Sequence, residues 1–309
     1  MKSTLTLPYL TCIDHAYIDT LGHIRGRSYH ASFTVSGEVD ETNEKVVIDF
    51  SKIKKLIKSI VDDHTEGFDH KLWVSMHNIK PGSNFLKTEN VLLTLPCNAF
   101  KLFEEDSHLN ISTAETEIAQ HVQYKLHEQG FPVDVTCMLN TDPLFIHAGG
   151  VYSTFSYVHG LKDSSAYGCQ NLAHGHLSYL QLLPRLDTFR PRVDPISVEE
   201  AVSPKGVHTI CAEICKDLDN TVFVFAENVT SPIGSSLVEV EYMSQSRGEM
   251  LGTFINSPVQ KVVVLETETT VEYLAEYINA KYSEVLKEAG VDRFIVSEGL
   301  SKGVMFDVI

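Results

Sequence analysis

The chain repeats itself, and an internal repeat restricts the possible fold more than any other feature of its 309 residues. Residues 68–78, FDHKLWVSMHN, lie over residues 218–228, LDNTVFVFAEN. Each opens on an apolar residue and Asp, runs through a strand-like apolar stretch and ends in Asn. Residues 112–119, STAETEIA, lie over 269–275, TTVEYLA, with Thr and Glu at what reads as a helix start. GFPVDVTCM at 130–138 aligns without gaps on GVDRFIVSE at 290–298. Near the starts, His15 heads a segment leading to GHIRGRSYHASFTV, and His159 heads one leading to AHGHLSYLQLL. The repeat predicts two units, 1–149 and 150–309, joined near DPLFIHAGG at 142–150, where Pro and a Gly pair interrupt regular structure.

The element order is similar in each half. SYHASFTVSGEV alternates as a strand does, DETNEK reads as a turn and VVIDF as a second strand. SKIKKLIKSIVDD carries apolar residues at 53, 56, 57, 60 and 61, which is helical spacing, with Ser51 as its expected N-cap. A strand over 91–95, a helix over roughly 113–128 and a strand near 131–138 follow. The second half adds length at 184–206 and a hairpin at 237–256. This order predicts an α+β fold with mainly antiparallel sheets.

Composition narrows the function classes. Hydrophobic residues make up 43% and charged residues 21%, which is globular. Asp plus Glu is 41 against Lys plus Arg 25, a formal net charge of −16. That balance argues against nucleic acid, which needs a basic face, and against an anionic membrane surface. The N-terminal sequence has no signal-peptide pattern and no apolar run spans a membrane, so a soluble, cytoplasmic protein with reduced thiols is expected.

The densest chemistry lies in FSYVHGLKDSSAYGCQNLAHGHLSYL, residues 155–180. His174 and His176 are two apart and would share one face of a strand. His159 on the neighbouring strand would complete three ligands and leave an open coordination position, the pattern of a catalytic zinc. Cys169 is a candidate nucleophile or base, its thiolate favoured by a nearby positive charge. The adjacent Asp69 and His70 can tune a proton donor, although alone they read as a solvated turn, and Glu298 closes the apolar strand RFIVSE, where alone it reads as a strand end. Cys211 and Cys215, four apart, read as one packed helix face rather than a metal site.

Taken in order, these motifs carry a resemblance. F-S-x-x-H at 155–159, C-x-N-x-x-H-G-H at 169–176, T-x-E at 270–272 and a final strand ending in S-E at 297–298 resemble the 6-pyruvoyl-tetrahydropterin synthase and 6-carboxytetrahydropterin synthase family. The first half is similar to the same family in V-V-I-D-F-S-K-I-K-K at 46–55, F-D-H-K-L at 68–72 and S-T-A-E at 112–115. The resemblance implies two tandem T-fold (tunnelling fold) units, antiparallel sheets with helices on one face, assembling into a barrel as a homo-oligomer. It implies 7,8-dihydroneopterin triphosphate as substrate. It also implies Zn2+ on His159, His174 and His176, Cys169 as the proton-abstracting base, and Asp69 with His70 assisting proton transfer. Glu298 would anchor the pterin ring, with Thr270 and Glu272 lining its site.

The halves depart from that pattern in complementary ways. At the HGH positions the first half has Arg25 and Arg27, which cannot ligate a metal, and at the anchor position it has Met138. The second half has Asp219 and Asn220 where the first has Asp69 and His70, and an amide cannot cycle a proton. The expectation is therefore a composite active site at a contact between a first-half and a second-half unit. The expected reaction yields 6-carboxytetrahydropterin, in a bacterial-style preQ (queuosine) pathway. The alternatives are the pyruvoyl product from the same substrate, a different T-fold reaction such as lysis of dihydroneopterin itself, and a non-catalytic zinc- or pterin-binding oligomer. Arg25 and Arg27 are expected to be salt-bridged or solvent-facing in a vacated site, the other reading being contacts to the triphosphate.

Overall fold

The structure, a computed structural model, describes residues 1–39, 47–79, 82–104, 109–144, 146–184 and 204–309. The first half runs β1 (Lys2–Ile18), β2 (Ile24–Glu38), α1 (Phe50–Val61), β3 (Lys71–Ser75), β4 (Phe85–Lys87), β5 (Val91–Thr94), β6 (Phe100–Phe103), α2 (Ile111–Glu128) and β7 (Asp134–Asn140). The second half begins with β8 (Val151–His159), β9 (His174–Pro184), α3 (Pro204–Leu218), β10 (Thr221–Phe225), β11 (Leu237–Ser244) and β12 (Gly248–Ile255). It ends with β13 (Lys261–Leu265), α4 (Val271–Glu288), β14 (Val291–Glu298) and β15 (Lys302–Asp307).

One sheet has the order β6-β3-β1-β2-β7 and a second the order β13-β10-β8-β9-β14-β15. Apart from the added β15, the second order reproduces the first. Each is centred on an antiparallel hairpin, β1–β2 or β8–β9. On one side each sheet extends in parallel, because the chain crosses over through α1 or α3 before β3 or β10 is laid down. A third sheet, β11-β12-β5-β4, joins the halves: Thr94 pairs with Leu251 and Val91 with Phe254.

Helices cover one face of each large sheet. Ile53, Ile57, Ile60 and Val61 of α1 are buried at helical spacing and pack, with Ala114, Ile118, Val122 and Leu126 of α2, on Ile13, Phe33 and Trp73 of the first sheet. Cys211 and Cys215 of α3 and Leu274 and Ile278 of α4 do the same on Phe155, Leu182 and Phe294. A third core lies between the two large sheets and the joining sheet, drawing Leu72, Leu93, Val158, Val224, Met250 and Phe254 together. There the two hairpins cross closely. A Cβ on Gly26 would stand 2.0 Å from the Tyr157 carbonyl oxygen and 2.7 Å from the His176 nitrogen, so only glycine fits.

Three expectations are corrected. Val47 to Phe50 form no strand: 47 and 48 lie in a bend and Phe50 opens α1. The cap of α1 is Asp49, whose carboxylate accepts from the Lys52 amide at 2.8 Å, and not Ser51. The antiparallel neighbour that VVIDF was expected to give β2 is instead the long β1. His15 and His159 are also not equivalent. His15 pairs with Arg27 and Lys71, as Tyr157 pairs with His176 and Thr221, so Tyr17 matches His159. The turn at 40–45 and most of the 184–206 insertion lie outside the described residues. Among the described residues no helix is long and apolar enough to cross a membrane.

Candidate active site

The second half supplies three imidazoles from one hairpin. His159 ends β8 and lies directly across from His174, which opens β9, and His176 follows two residues on, on the same face. All three are buried, and their ring nitrogens include a set lying within 4.8 Å of one another. The Nδ1 atoms of His159 and His174 are hydrogen-bonded on the outside. His159 Nδ1 lies 2.7 Å from the Thr269 carbonyl, just before α4, and His174 Nδ1 lies 2.8 Å from the Asn171 carbonyl. His176 Nδ1 faces Asp14 Oδ1 at 3.3 Å. Carbonyls hold Nδ1–H, so the Nε2 lone pairs of His159 and His174 turn inward. His159 Nε2 sits 3.1 Å from His176 Nε2, and His174 Nε2 is buried with no hydrogen-bond partner among the described residues.

Burial pushes His159 down to about 3, with the neighbouring His176 adding to it. Burial likewise holds His174 well below the ordinary histidine range. These two rings are therefore neutral donors at pH 7. Three buried imidazoles with an orphaned inward nitrogen and outer hydrogen-bond acceptors fit a divalent cation such as zinc.

The first half supplies the remaining groups. His70 has φ 52°, a left-handed conformation that turns its side chain out of the loop entering β3. Its amide donates to the Asp14 carbonyl at 2.6 Å, and Asp69 Oδ1 accepts from the Asp14 amide at 2.8 Å, so the pair is clamped to β1. His70 Nδ1 lies 2.5 Å from Asp69 Oδ2, and His70 Nε2 lies 3.5 Å from Cys169 Sγ in the second half. Burial opposes charge on His70, but the Asp69 carboxylate outweighs it, helped by Cys169, and holds the imidazole well above its ordinary pKa. A charged His70 presents its Nε2–H to the sulfur.

Close approach makes this contact possible. A Cβ on Gly168 would meet His70 Cγ at 2.7 Å. Asn171 Nδ2 donates to the His70 carbonyl at 3.1 Å and to the Ala99 carbonyl at 3.3 Å, tying the Cys169 turn to the first half. Glu298, at the end of β14, places Oε1 3.9 Å from His176 Nε2 and receives Lys302 Nζ at 2.8 Å. Burial works against its charge, yet His176 and Lys302 keep its carboxyl below the usual value.

His159, His174, His176, Cys169, Asp69, His70 and Glu298 thus converge in one place within a single chain. Thr270 follows Thr269 and precedes α4 without a side-chain cap bond, and Glu272 is exposed in its first turn. Thr269 contacts His159 Nδ1 through its carbonyl at 2.7 Å and its hydroxyl at 3.2 Å.

Sequence reasoning missed Asp14, Arg247 and Lys302. Arg247 is buried, and its guanidinium donates to the Gly168 carbonyl at 3.2 Å and the Asn98 carbonyl at 3.2 Å, bracing the turn that carries Cys169. No local spacing marks these residues. Asn171 was within reach, since it is the Asn of C-x-N-x-x-H-G-H.

The halves also repeat this geometry where the chemistry differs. Asn220 has φ 59°, its amide donates to the Ser156 carbonyl at 2.8 Å, and Asp219 Oδ1 accepts from the Ser156 amide at 2.8 Å. These are the bonds of His70, Asp14 and Asp69 in the other half.

Among solved structures, the 6-pyruvoyl tetrahydropterin synthase of Plasmodium vivax is similar at 16% identity and a TM-score of 0.33, over 51% of this chain and 95% of that one. The Plasmodium falciparum 6-pyruvoyl tetrahydropterin synthase is similar at 15% identity and a TM-score of 0.30, over 51% of this chain and 94% of that one. No protein-family model and no curated protein matches the chain.

Proposed function

We propose that this chain is a zinc-dependent lyase that converts 7,8-dihydroneopterin triphosphate to 6-carboxy-5,6,7,8-tetrahydropterin, a step of queuosine (preQ) formation, in one active site shared by its two halves. The motif resemblance supplies the substrate class. The observation that carries the reading is the 3.5 Å approach of His70 Nε2 to Cys169 Sγ across the halves, beside the three imidazoles. Independent loss of function in each half gives no reason for the surviving groups to meet.

His159, His174 and His176 would hold the cation, which when bound supplies Lewis-acid polarisation of a substrate oxygen. Cys169 thiolate takes a proton from the adjacent carbon, becoming the thiol. His70 exchanges a proton with that sulfur through Nε2, while Asp69 keeps Nδ1–H fixed and stabilises the imidazolium. Glu298, ionised and partly buried, accepts paired N–H donors from the aminopyrimidine edge. Asn171, Arg247 and Gly168 hold the sulfur in place before substrate arrives.

The chain is further read as associating with copies of itself, which the edge strands β7 and β15 would permit, because each offers one side of its backbone to a neighbour.

The test is turnover of 7,8-dihydroneopterin triphosphate by zinc-loaded protein, with products separated by mass, beside His70→Ala and Cys169→Ala. Each variant is expected to lose about 10²-fold or more in kcat while keeping its zinc. A pyruvoyl product would move the assignment to the sister reaction on the same residues. Zinc-loaded wild type that makes no product would end the lyase reading in favour of a binding role.

A further inference from the structure

The internal repeat produces a second cavity where the second half's Asp219 and Asn220 face the first half's counterpart of the imidazole cluster. By strand register Tyr17 stands for His159, Arg25 for His174 and Arg27 for His176. The cavity is ≈ 470 Å³ and is lined by Tyr17, Arg27, Tyr29, Ile111, Asp219 and Asn220 among others. We propose that this pocket binds a small-molecule oxyanion, phosphoryl or carboxylate, on the guanidinium of Arg27.

Arg27 is prepared for that role. Its Nη1 donates to the Tyr29 hydroxyl at 3.1 Å and its Nη2 to the Tyr17 hydroxyl at 2.9 Å, and it lies 4.3 Å over the Tyr17 ring. Neutral phenols orient the fork without cancelling its charge, and among the described residues no carboxylate pairs with it. In a chain of net charge −16, a half-buried guanidinium turned to neutral phenols keeps its charge available to an anion. A guanidinium has five N–H donors, of which the phenols take two. Arg25 cannot serve, since Asp19 takes its Nε at 2.9 Å and the Val259 carbonyl its Nη1 at 3.1 Å.

The carboxylate lining the pocket keeps its charge, but both of its oxygens are turned to donors of its own half, so the anion's place is at Arg27. Asp219 Oδ1 accepts from the Ser156 amide and hydroxyl, and its Oδ2 accepts from Asn220 Nδ2 at 2.9 Å. The 18-residue helix α2 also begins at this cavity, at Ile111, and adds the positive end of its dipole. The two sites are thus one architecture with opposite preferences, one for a cation and one for an anion. The inference does not depend on the lyase reading, because none of the anion's contacts belongs to the imidazole cluster.

The experiment is calorimetric titration of the 309-residue, metal-loaded chain with pyrophosphate and, separately, with succinate, at low ionic strength. Wild type is expected to bind at least one of them saturably at one site per chain, and the stronger of the two identifies the headgroup. Arg27→Gln is expected to weaken that binding about tenfold or more, and Arg27→Lys to fall between. Ile111→Glu, a change at a half-exposed rim position, is expected to weaken binding without disturbing the core, which covers the case of an Arg27 variant that does not fold. Absence of saturable binding by both anions, or binding unchanged in Arg27→Gln and Ile111→Glu, would overturn the proposal.

Discussion

Asp14 is the side chain on which both halves of the candidate active site depend. It is buried, its backbone clamps Asp69 and His70, and its carboxylate receives the Ser28 hydroxyl and faces His176. Burial raises the cost of its charge, and His176, His70 and Ser28 together outweigh that cost and keep it ionised. A carboxylate behind a ligating imidazole orients the ring and raises its basicity. Asp14→Asn keeps the shape and removes the charge. It is expected to weaken zinc about 10- to 100-fold in a competition titration against a coloured chelator, with the fold retained by circular dichroism. Unchanged zinc affinity would remove Asp14 from the support of the metal.

At the scale of elements, Asp217 near the end of α3 links three pieces of the second half. It pairs with Lys261 of β13 at 2.5 Å and Lys281 of α4 at 2.7 Å, and it accepts the Tyr282 hydroxyl. Burial works against its charge, but these hydrogen bonds and the lysine charges win and hold its carboxyl far below the ordinary range. A depressed carboxyl stabilises the fold above the unfolded pKa of about 4 and loses that contribution as pH falls toward its folded value. The side chain is 39% exposed, so water screens the effect. Asp217→Asn is expected to lower the urea midpoint at pH 7 and to differ less from wild type at pH 3. An equal difference at both pH values would show that charge is not the cause. The elements themselves were readable where period and length agree, as in α1, α2 and the 237–256 hairpin. VVIDF failed because its β-branched run is followed directly by Asp49, whose cap on the Lys52 amide starts a helix.

At the scale of the molecule, each half has a helix-covered core of its own, and a third core is shared between them. Leu72, Val74, Leu86 and Leu93 of the first half, and Val158, Val222, Met250 and Phe254 of the second, are fully buried in the core that the three sheets share. Exposing four such side chains costs about 6–12 kcal/mol at about 1.5–3 each, comparable to the roughly 5–15 kcal/mol that holds a domain together. Residues 1–149 or 150–309 made alone are therefore expected to melt without a cooperative transition and to bind a hydrophobic dye. Mixing or co-expressing them is expected to restore both cooperativity and the joining sheet. A cooperative melt of either half alone would show that the shared core is dispensable.

The sequence by itself determined what depends on neighbours along the chain: the repeat, the amphipathic helices, the acidic balance, and the HGH strand with His159 able to face it. Alternation every two residues and the 3.6-residue helical period are local properties, and they survive without knowledge of the fold. It also showed that the two halves carry different groups at matching places, Asp69 and His70 in one against Asp219 and Asn220 in the other. Only the tertiary structure decided that the remaining groups meet within one chain. His70 and Cys169 are 99 residues apart, and their contact is set by the crossing of two hairpins at Gly26 and Gly175. The same crossing brings Asp14 to His176. Arg247 reaches the Cys169 turn from the hairpin of the joining sheet, and the register that matches Tyr17, not His15, with His159 is set by pairing across strands. Such contacts follow from packing of distant segments, which no spacing along the chain encodes.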